Sequence, residues 1–262
     1  MTGLISNSSF EAYYQELYGD RWKSLRKNLL EKRTPIAFTQ GIRLPYMLDR
    51  GSVLAAQSLR LPDTGLILDA CAAPGGKSLV IAASMGPEVS LLANEPSRER
   101  RRRLLKVLED HLNTETRRRV QVSGFDAAQL GGNHRERSRF AGVLLDAPCS
   151  SERYVLMDPN ALGQWTPARP RFLARRQWAL LSAAFLLLRP GASLVYVTCA
   201  LSEEENDGVA SRLLAKYGPE VLLDEPSFPE GEKTPLGRLI LPDTSDGIGP
   251  LYIARFTRSH AM

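Results

Sequence analysis

Short apolar runs alternate with longer amphipathic stretches from Leu66 onward. The apolar runs have the length of buried strands, and turn residues follow them: LILDA (66–70), VSLLANE (89–95), RVQVSG (119–124), AGVLLDA (141–147) and ASLVYVT (192–198). The stretches between them have helical periodicity, at 77–85, 97–112, 168–188 and 203–216. Strands that alternate with helices pair in parallel through right-handed crossovers. The pattern therefore predicts an α/β fold with a Rossmann-like, doubly wound and mostly parallel sheet.

Both ends of the sequence depart from this alternation. The stretch RLILPDTSDGIGPLYIARFTR (238–258) predicts two strands joined by a turn near Asp246 and Gly247, which add an antiparallel edge to the sheet. Residues 1–44 predict a short helical extension of two helices, with Asp20 as the N-cap of the second. We therefore divide the chain into an N-terminal helical extension (1–44) and a main domain (45–262).

Composition narrows the class of protein. The 262 residues carry a formal charge of +5, which favours a polyanion such as nucleic acid as partner. The three cysteines form no CxxC pair, which argues against a disulfide framework and against a thiolate zinc site, so we predict no metal. We find no apolar run of about 18 residues, and the first residues lack the apolar core of a signal peptide. We therefore expect a cytoplasmic protein with no membrane association.

The loop after the first predicted strand has the composition of a ligand-binding turn. Its small residues let backbone N–H groups approach a ligand closely. A phosphate loop would need glycine five positions before Gly76, and Cys71 stands there, so phosphate binding is not predicted. The loop consists of Cys71, Ala72, Ala73, Pro74, Gly75, Gly76 and Lys77.

Two acids at later strand ends indicate what this loop binds. Glu95 ends the second strand about 20 residues on, where a carboxylate accepts hydrogen bonds from both hydroxyls of a ribose. Asp126 follows the third strand and can accept a hydrogen bond from an exocyclic amine such as that of adenine. Together with the glycine loop, they predict a nucleoside-containing ligand without a demanding phosphate site. S-adenosylmethionine fits this description.

Two cysteines follow the fourth and fifth predicted strands. LLDAPCSS places Asp146 and Cys149 after one strand, and VYVTCALS places Cys199 after the next. Neighbouring parallel strands bring these groups to one sheet edge, beside the loop. A thiolate that adds to carbon 6 of cytosine makes carbon 5 nucleophilic, a carboxyl group accepts the charge at N3, and a base must then remove the carbon-5 proton. Asp146, Cys149 and Cys199 match these requirements.

The thiol must ionise to react, because a free cysteine is only about 3% thiolate at pH 7. Ser202 and Glu205 have the spacing of a capping box, which predicts a helix start just past Cys199. The dipole of that helix would favour the thiolate, whereas Glu203 and Glu204 would oppose it unless they point away.

Three motifs resemble the Fmu/Sun family of RNA cytosine-5 methyltransferases, which use S-adenosylmethionine: DACAAPGGKS, DAPCS and YVTCALSEEEND, in this order. The resemblance covers roughly residues 10 to 258. It implies that Cys199 is the nucleophile, that Cys149 is needed for product release and that Asp146 lies between cofactor and base. It also implies that residues 71–77 hold the methionine part of the cofactor. It places Glu95 at the ribose, Asp126 at the adenine end and Arg100 near the cofactor.

The sequence departs from the family after the Pro-Cys motif. Many members continue with Ser-Gly-x-Gly, whereas this chain reads SSERYVLMD (150–158), which is similar to a short branch that includes mitochondrial enzymes acting on ribosomal or transfer RNA. On this branch resemblance, ribosomal RNA is favoured over transfer RNA. Target choice is expected to rest on residues 1–44, on basic segments such as 97–106 and 169–178, or on a protein partner.

Other readings of the motifs remain open. A DNA cytosine-5 methyltransferase would use Cys149 as its nucleophile and would leave Cys199 without a role. A catalytically weak RNA-binding or ribosome assembly factor that retains the methyltransferase fold is the main alternative, although both cysteines and all three acids are present. A methyltransferase for small molecules or proteins would not need the pair of thiols.

Overall fold

A mixed nine-stranded sheet and a separate two-stranded hairpin make up the strands of the computed structural model, which describes residues 7–132, 136–225 and 228–260. Residues 1–6 of the predicted extension lie outside this part. The hairpin consists of β1 (Ile36–Phe38) and β2 (Tyr46–Leu48). The sheet consists of β3 (Gly65–Asp69), β4 (Val89–Asn94), β5 (Val120–Ser123), β6 (Phe140–Asp146), β7 (Leu188–Thr198), β8 (Val221–Asp224), β9 (Glu232–Lys233), β10 (Arg238–Ile240) and β11 (Leu251–Arg258).

The helices connect the strands and cover both faces of the sheet. None of the helices in the described ranges is both long and apolar enough to cross a membrane. They are α1 (Ser8–Tyr18), α2 (Arg21–Leu30), α3 (Arg50–Gln57), α4 (Gly76–Ser84), α5 (Arg98–His111), α6 (Thr114–Arg118), α7 (Ala127–Leu130), α8 (Glu152–Met157), α9 (Pro159–Gly163), α10 (Ala168–Leu187) and α11 (Asp207–Tyr217). Two 3-10 turns span Glu203–Glu205 and Gly218–Glu220.

Five parallel strands form the centre of the sheet in the order β5-β4-β3-β6-β7. Within the sheet, the chain passes first through β3, then outward through β4 and β5, and then crosses to β6 and β7 on the other side of β3. This topology confirms the predicted doubly wound fold. Ligands of such sheets bind beyond the carboxyl ends of the strands where the order reverses. Here the reversal lies between β3 and β6, which end at Asp69 and Asp146.

The C-terminal strands extend the sheet in the antiparallel direction, as predicted. β11 pairs with β7 along six residue pairs, from Tyr252–Thr198 to Thr257–Ser193. Its other side pairs first with β10 and then with β8. The turn between β10 and β11 contains the left-handed residues Asp246 and Gly247, with φ of 49° and 78°. β8 and β9 were not predicted, because their two to four residues are mostly exposed and give no apolar run.

Apolar residues of the parallel strands point alternately to two cores, which explains why their runs are continuous. In β3, Ile67 packs with α3, α4 and α5, whereas Leu68 packs with α10 and α11 on the opposite face. Both residues are fully buried. Burial on both faces fixes the strand positions, and with them the loops at their carboxyl ends.

A third apolar cluster joins the N-terminal helices to α8 and α9. Phe10, Tyr14 and Trp22 are buried against Trp165, which lies just after α9. The break between α1 and α2 falls at Gly19, as predicted. Asp20 occupies the N-cap position of α2, but its backbone is helical and its side chain makes no cap hydrogen bond, so the predicted cap is wrong in its chemistry. The extension therefore packs on the segment that follows Cys149.

Candidate active site

The loop between β3 and α4 forms one wall of a cleft of about 220 Å³ at the strand reversal. Gly75 has φ of +120°, and a Cβ there would lie 3.0 Å from Cγ1 of Val107. Only glycine adopts this backbone without strain, and it lets α4 begin at once with Gly76. Loop residues 71–74, 76 and 77 line the cleft together with Asp69, Asp146 and residues of β2 and α3.

Glu95 and Arg100 lie together beside the loop. The Glu95 side chain is 1% exposed, and its Oε1 accepts a hydrogen bond from the Ser97 backbone. Its Oε2 has no hydrogen-bond partner and lies 3.3 Å from a guanidinium nitrogen of Arg100. Arg100 also donates to the carbonyl oxygen of Ala73, at 2.9 Å. A buried carboxylate oxygen that accepts no hydrogen bond, next to a small-residue loop, is suited to accept hydrogen bonds from ligand hydroxyls.

Asp126 is engaged by the protein itself. It is the N-cap of α7, where it accepts a hydrogen bond from the Ala128 backbone, and its Oδ1 lies 2.5 Å from the guanidinium of Arg176. The hydrogen bond from Arg176 lowers the pKa of Asp126 below its ordinary value. A ligand amine at this position would have to share Asp126 with Arg176.

Lys77 and Asp146 form an ion pair across the reversal, with Nζ and Oδ2 2.7 Å apart. Burial opposes the charge on Lys77, but the Asp146 carboxylate outweighs it and raises the pKa of Lys77. The sequence analysis placed both residues at this edge and did not foresee the pair. Asp69 lies beneath it, fully buried, and burial raises its pKa to about 7 even though Ser78 donates a hydrogen bond to it.

The two thiols meet, as the sequence predicted. The Sγ atoms of Cys149 and Cys199 are 2.7 Å apart and both cysteines are free. The Cys199 backbone N–H donates to Sγ of Cys149, at 3.1 Å. Oγ of Ser151 lies 3.1 Å from Sγ of Cys199, so Ser151, which the sequence analysis did not single out, contacts the candidate nucleophile. Ser151 has the left-handed φ of 53°, which turns the chain after Cys149 back toward Cys199.

The electrostatics of the pair are asymmetric. The hydrogen bond from Cys149 lowers the pKa of Cys199, with help from Ser151 and from the charge of Lys77, although burial opposes ionisation. The same hydrogen bond, together with burial, raises the pKa of Cys149. Burial also raises the pKa of Cys71, the third cysteine. Cys199 is therefore the thiol that ionises most readily, with Cys149 as its S–H donor.

The predicted capping box after Cys199 is absent. Ser202 caps only the 3-10 turn Glu203–Glu205 by accepting from the Glu204 backbone, and α11 begins later, at Asp207. Glu205 is fully buried, and its carboxylate accepts hydrogen bonds from Ser150 and Gln177. The acid that the spacing assigned to a helix cap instead binds the loop that carries Cys149. The lowered pKa of Cys199 thus arises from side chains and not from a helix that starts beside it.

A larger cleft of about 640 Å³ opens in front of Cys199. Tyr154 and Met157 of α8 form an apolar wall, and both side chains are about 60% exposed. A hydrogen bond from Tyr154 to Asp158 holds the ring in place. Arg33 and Arg153 contribute guanidinium groups to the same cleft. The arrangement offers a flat aromatic surface and positive charge next to the reactive thiol.

Comparisons with known proteins identify the family of the chain. Residues 56–257 match the family model of the 16S rRNA methyltransferases RsmB/F. Ribosomal RNA small subunit methyltransferase F of Aeromonas salmonicida is 38% identical over 226 residues, which cover 83% of this chain and 46% of that protein. The enzyme of the same name from Escherichia coli is 36% identical over 224 residues, 83% of this chain and 45% of that protein. The chain therefore spans less than half the length of these curated relatives.

Solved structures share the fold. A methyltransferase homologue from Pyrococcus horikoshii has a TM-score of 0.75 at 20% identity and covers 97% of this chain, with 96% of its own length matched. NSun6 from the same organism, solved with the S-adenosylmethionine analogue SFG, has a TM-score of 0.70 at 26% identity, with 86% of this chain and 55% of NSun6 covered. The family model spans most of the sheet and all three motifs, and it confirms the resemblance stated from the sequence. The chain belongs to the RsmB/F family of 16S rRNA methyltransferases, the Fmu/Sun family.

Proposed function

We propose that the protein is an S-adenosylmethionine-dependent RNA cytosine-5 methyltransferase with Cys199 as its nucleophile. The observation that carries the proposal is the pair of free thiols, 2.7 Å apart, at the sheet edge beside Lys77 and Asp146. A methyltransferase acting on an oxygen or an amine would need no such pair. The opposite pKa shifts of the two thiols favour Cys199, and not Cys149, as the group that attacks.

The 220 Å³ cleft and the acids beside it fit the cofactor. The loop 71–77 would hold the methionine part, with Lys77 and Asp146 at its floor. Oε2 of Glu95, which accepts no hydrogen bond within the protein, would accept hydrogen bonds from the ribose hydroxyls. Arg100 would fix the loop through its hydrogen bond to the carbonyl oxygen of Ala73. Asp126 would accept from the adenine amine in competition with Arg176. When bound, S-adenosylmethionine supplies the methyl group that carbon 5 takes.

Covalent activation of the base follows from the thiol pair. The Cys199 thiolate forms a bond to carbon 6, the electron pair of the 5,6 double bond shifts to the 4,5 bond, and the pair of the 3,4 double bond moves onto N3. The Lys77–Asp146 ion pair, in which Lys77 is the donor, holds the proton that N3 takes up. Tyr154 and Met157 would enclose the base in the 640 Å³ cleft, with the neighbouring phosphates near Arg33 and Arg153. A base within a paired stem would first have to be flipped out.

Release reverses the addition. Cys149 takes the carbon-5 proton, the electron pair of that carbon–hydrogen bond restores the 5,6 double bond, and the bond from carbon 6 to Cys199 breaks with its electrons on sulfur. The Sγ atoms of the two cysteines are 2.7 Å apart, so Cys149 can pass its own proton to the departing sulfur as it takes the proton from carbon 5. Loss of Cys149 should therefore trap the covalent adduct, whereas loss of Cys199 should prevent it.

Ribosomal RNA is the proposed substrate class, supported by the names of the curated relatives, which are ribosomal RNA methyltransferases, and by the basic residues of the chain. A protein partner that assists target choice is part of the proposal. The division into residues 1–44 and 45–262 and the affinity to the short branch with mitochondrial members stay predictions. Bisulfite sequencing of cellular RNA with and without the gene would identify the modified cytosine.

A denaturing gel tests the proposal. Wild type, Cys149→Ala, Cys199→Ala and the exposed control Ser211→Ala are incubated with cellular RNA and S-adenosylmethionine. We expect a stable protein–RNA band only with Cys149→Ala. Repeated turnover of methyl transfer is expected only with wild type and the control, because Cys149→Ala stops after one transfer with the product still bound to Cys199.

Each other result has a distinct meaning. A band that appears with Cys199→Ala and is absent with Cys149→Ala would reverse the two roles. Cys149 would then be the nucleophile, as in DNA cytosine-5 methyltransferases. If the protein binds the cofactor but gives no band and no methyl transfer with a range of RNAs, the proposed enzymatic activity is refuted. That result would favour a ribosome assembly factor.

A further inference from the structure

Two buried glutamates connect the loops that carry the two cysteines, and they do so crosswise. Glu152, three residues after Cys149, accepts from the Leu201 backbone N–H with its Oε2, at 3.1 Å. Glu205, on the Cys199 side, accepts from the Ser150 backbone N–H with its Oε2, at 2.9 Å, and from the Ser150 hydroxyl. Each loop therefore supplies the carboxylate that binds the backbone of the other.

Both carboxyl groups are fully buried, and each of their oxygens accepts a hydrogen bond. Neither Glu152 nor Glu205 has measurable exposure. Gln177 of α10 adds a third donor to Glu205, at 2.7 Å, and also donates to the carbonyl oxygen of Pro148. Buried charges are expensive unless hydrogen bonds satisfy them, so removing any one donor or acceptor here leaves a costly unpaired group.

The N-terminal helices complete this arrangement. The hydroxyl of Tyr14, on α1, donates to Oε1 of Glu152 at 2.6 Å, and the ring is fully buried among Phe10, Trp22 and Trp165. Tyr18 of the same helix donates to the carbonyl oxygen of Leu201, at 2.8 Å. Helix α1 thus contacts both cysteine loops within a few residues of the thiols.

We infer that Glu152, Glu205 and Tyr14 are positioning residues that hold the two thiols in their reactive geometry, which makes the N-terminal helices part of the catalytic apparatus. The inference deepens the proposed function, because it states what keeps Cys149 and Ser151 in contact with Cys199. Tyr14, Glu152 and Glu205 line neither the 220 Å³ cleft nor the 640 Å³ cleft, so their effect passes through the backbone at residues 150 and 201.

Charge and geometry predict opposite effects on Cys199, which makes the inference testable. Burial, followed by the charge of Glu205, raises the pKa of Glu152 to about 8, so Glu152 is negatively charged only above that pH, where its charge disfavours a thiolate on Cys199. The ionisable groups near Glu152 are Tyr13, Tyr14, Tyr18, Glu205 and Cys199. If Glu152 acted only through its charge, Glu152→Gln would lower the pKa of Cys199. If it positions the loop, the same variant loosens the contacts from Cys149 and Ser151 and raises that pKa. Tyr14→Phe changes no charge and isolates the positional effect.

The experiment measures the rate of alkylation of each cysteine by iodoacetamide against pH, by mass spectrometry, in the full chain without RNA. The variants are Tyr14→Phe, Glu152→Gln and Glu205→Gln. The matched controls are the exposed acid Glu204→Gln and Tyr217→Phe, whose hydroxyl contacts Ser182 and neither cysteine loop. We expect the midpoint for Cys199 to move upward in the three variants and to stay in place in both controls. Methyl transfer should show kcat lower by about tenfold, as for one lost hydrogen bond, with KM unchanged.

The outcomes separate this inference from the proposed function. Unchanged alkylation midpoints and kcat in folded Tyr14→Phe and Glu152→Gln would overturn the positioning role. A downward shift in Glu152→Gln would also overturn it, in favour of a charge effect. If the midpoints shift as expected while wild type transfers no methyl to any RNA, the positioning inference stands and the proposed function fails. Circular dichroism at the assay temperature shows which variants are folded.

Discussion

Replacing Gly75 with alanine tests whether the cofactor loop depends on one backbone conformation. Gly75 has φ of +120° and ψ of −7°, outside the regions open to other residues. Holding an alanine there costs about 1–3 kcal/mol. Its Cβ would also lie 3.0 Å from Cγ1 of Val107 and 3.2 Å from Cδ1 of Leu104, which must move by a few tenths of an ångström. We therefore expect the free energy of unfolding to fall by about 1–3 kcal/mol.

Gly86 provides the matched control. It follows α4 in the same region, has no neighbouring atom within 4 Å of an added Cβ, and has an ordinary φ. Gly86→Ala should change the free energy of unfolding by less than about 0.5 kcal/mol. Urea unfolding with unchanged m-values gives both numbers.

Calorimetry with S-adenosylmethionine completes the Gly75 test. Because the strained residue lies in the loop proposed to hold the methionine part, Gly75→Ala should weaken binding by about tenfold, whereas Gly86→Ala should not. If the two variants were equal in stability and in affinity, the loop would tolerate an ordinary backbone. The argument from φ would then be wrong.

Three further predictions concern pH, cofactor and RNA. The pKa of Asp69 is raised from 3.8 to about 7 in the folded state, so the folded state holds this proton more tightly than the unfolded state does. Stability therefore falls as pH rises through this window. In urea titrations, the free energy of unfolding of wild type should fall by about 1.4 kcal/mol more than that of Asp69→Asn between pH 6 and pH 8. Arg176→Gln should free Asp126 and tighten S-adenosylmethionine binding by up to about fivefold by calorimetry, and weaker binding would mean that Arg176 itself contacts the cofactor. Tyr154→Ala should raise KM for RNA by about tenfold with kcat retained, since a stacked base is lost, whereas the exposed Leu222→Ala should change neither; equal KM values would remove Tyr154 from the cleft's function.

The sequence was sufficient to predict the parallel strands of the sheet and the residues at their carboxyl ends, because local signals determine both. Apolar runs of strand length and the turn residues after them placed β3 to β7 within a few residues. The end of each strand then placed Cys71, Asp146, Cys149 and Cys199 at one edge. Parallel pairing brings such residues together without any knowledge of side-chain contacts.

The errors arise where contacts between distant residues replaced a local preference. Glu205 has capping-box spacing from Ser202, but its carboxylate binds Ser150, 55 positions away in sequence. Asp126 stays a predicted ligand acid, and the sequence did not indicate its bond to Arg176, 50 positions away. Glu152 gave no signal at all, because its partners come from α1 and from the loop after β7. Spacing rules cannot report such partners, since they describe only neighbours along the chain.

The position of β11 in the sheet has a consequence for synthesis. β7 ends one residue before Cys199, and one of its edges pairs with β11 along six residue pairs, from Thr198 to Ser193. Until Leu251–Arg258 leaves the ribosome, the backbone N–H and C=O groups at that edge of β7 stay unpaired in the nascent chain. Exposed strand edges of this kind promote aggregation. A chain truncated before Leu251 should therefore be both insoluble and without a fixed thiol pair. β7, the strand that precedes Cys199, therefore completes its pairing only after Leu251–Arg258 has been synthesised.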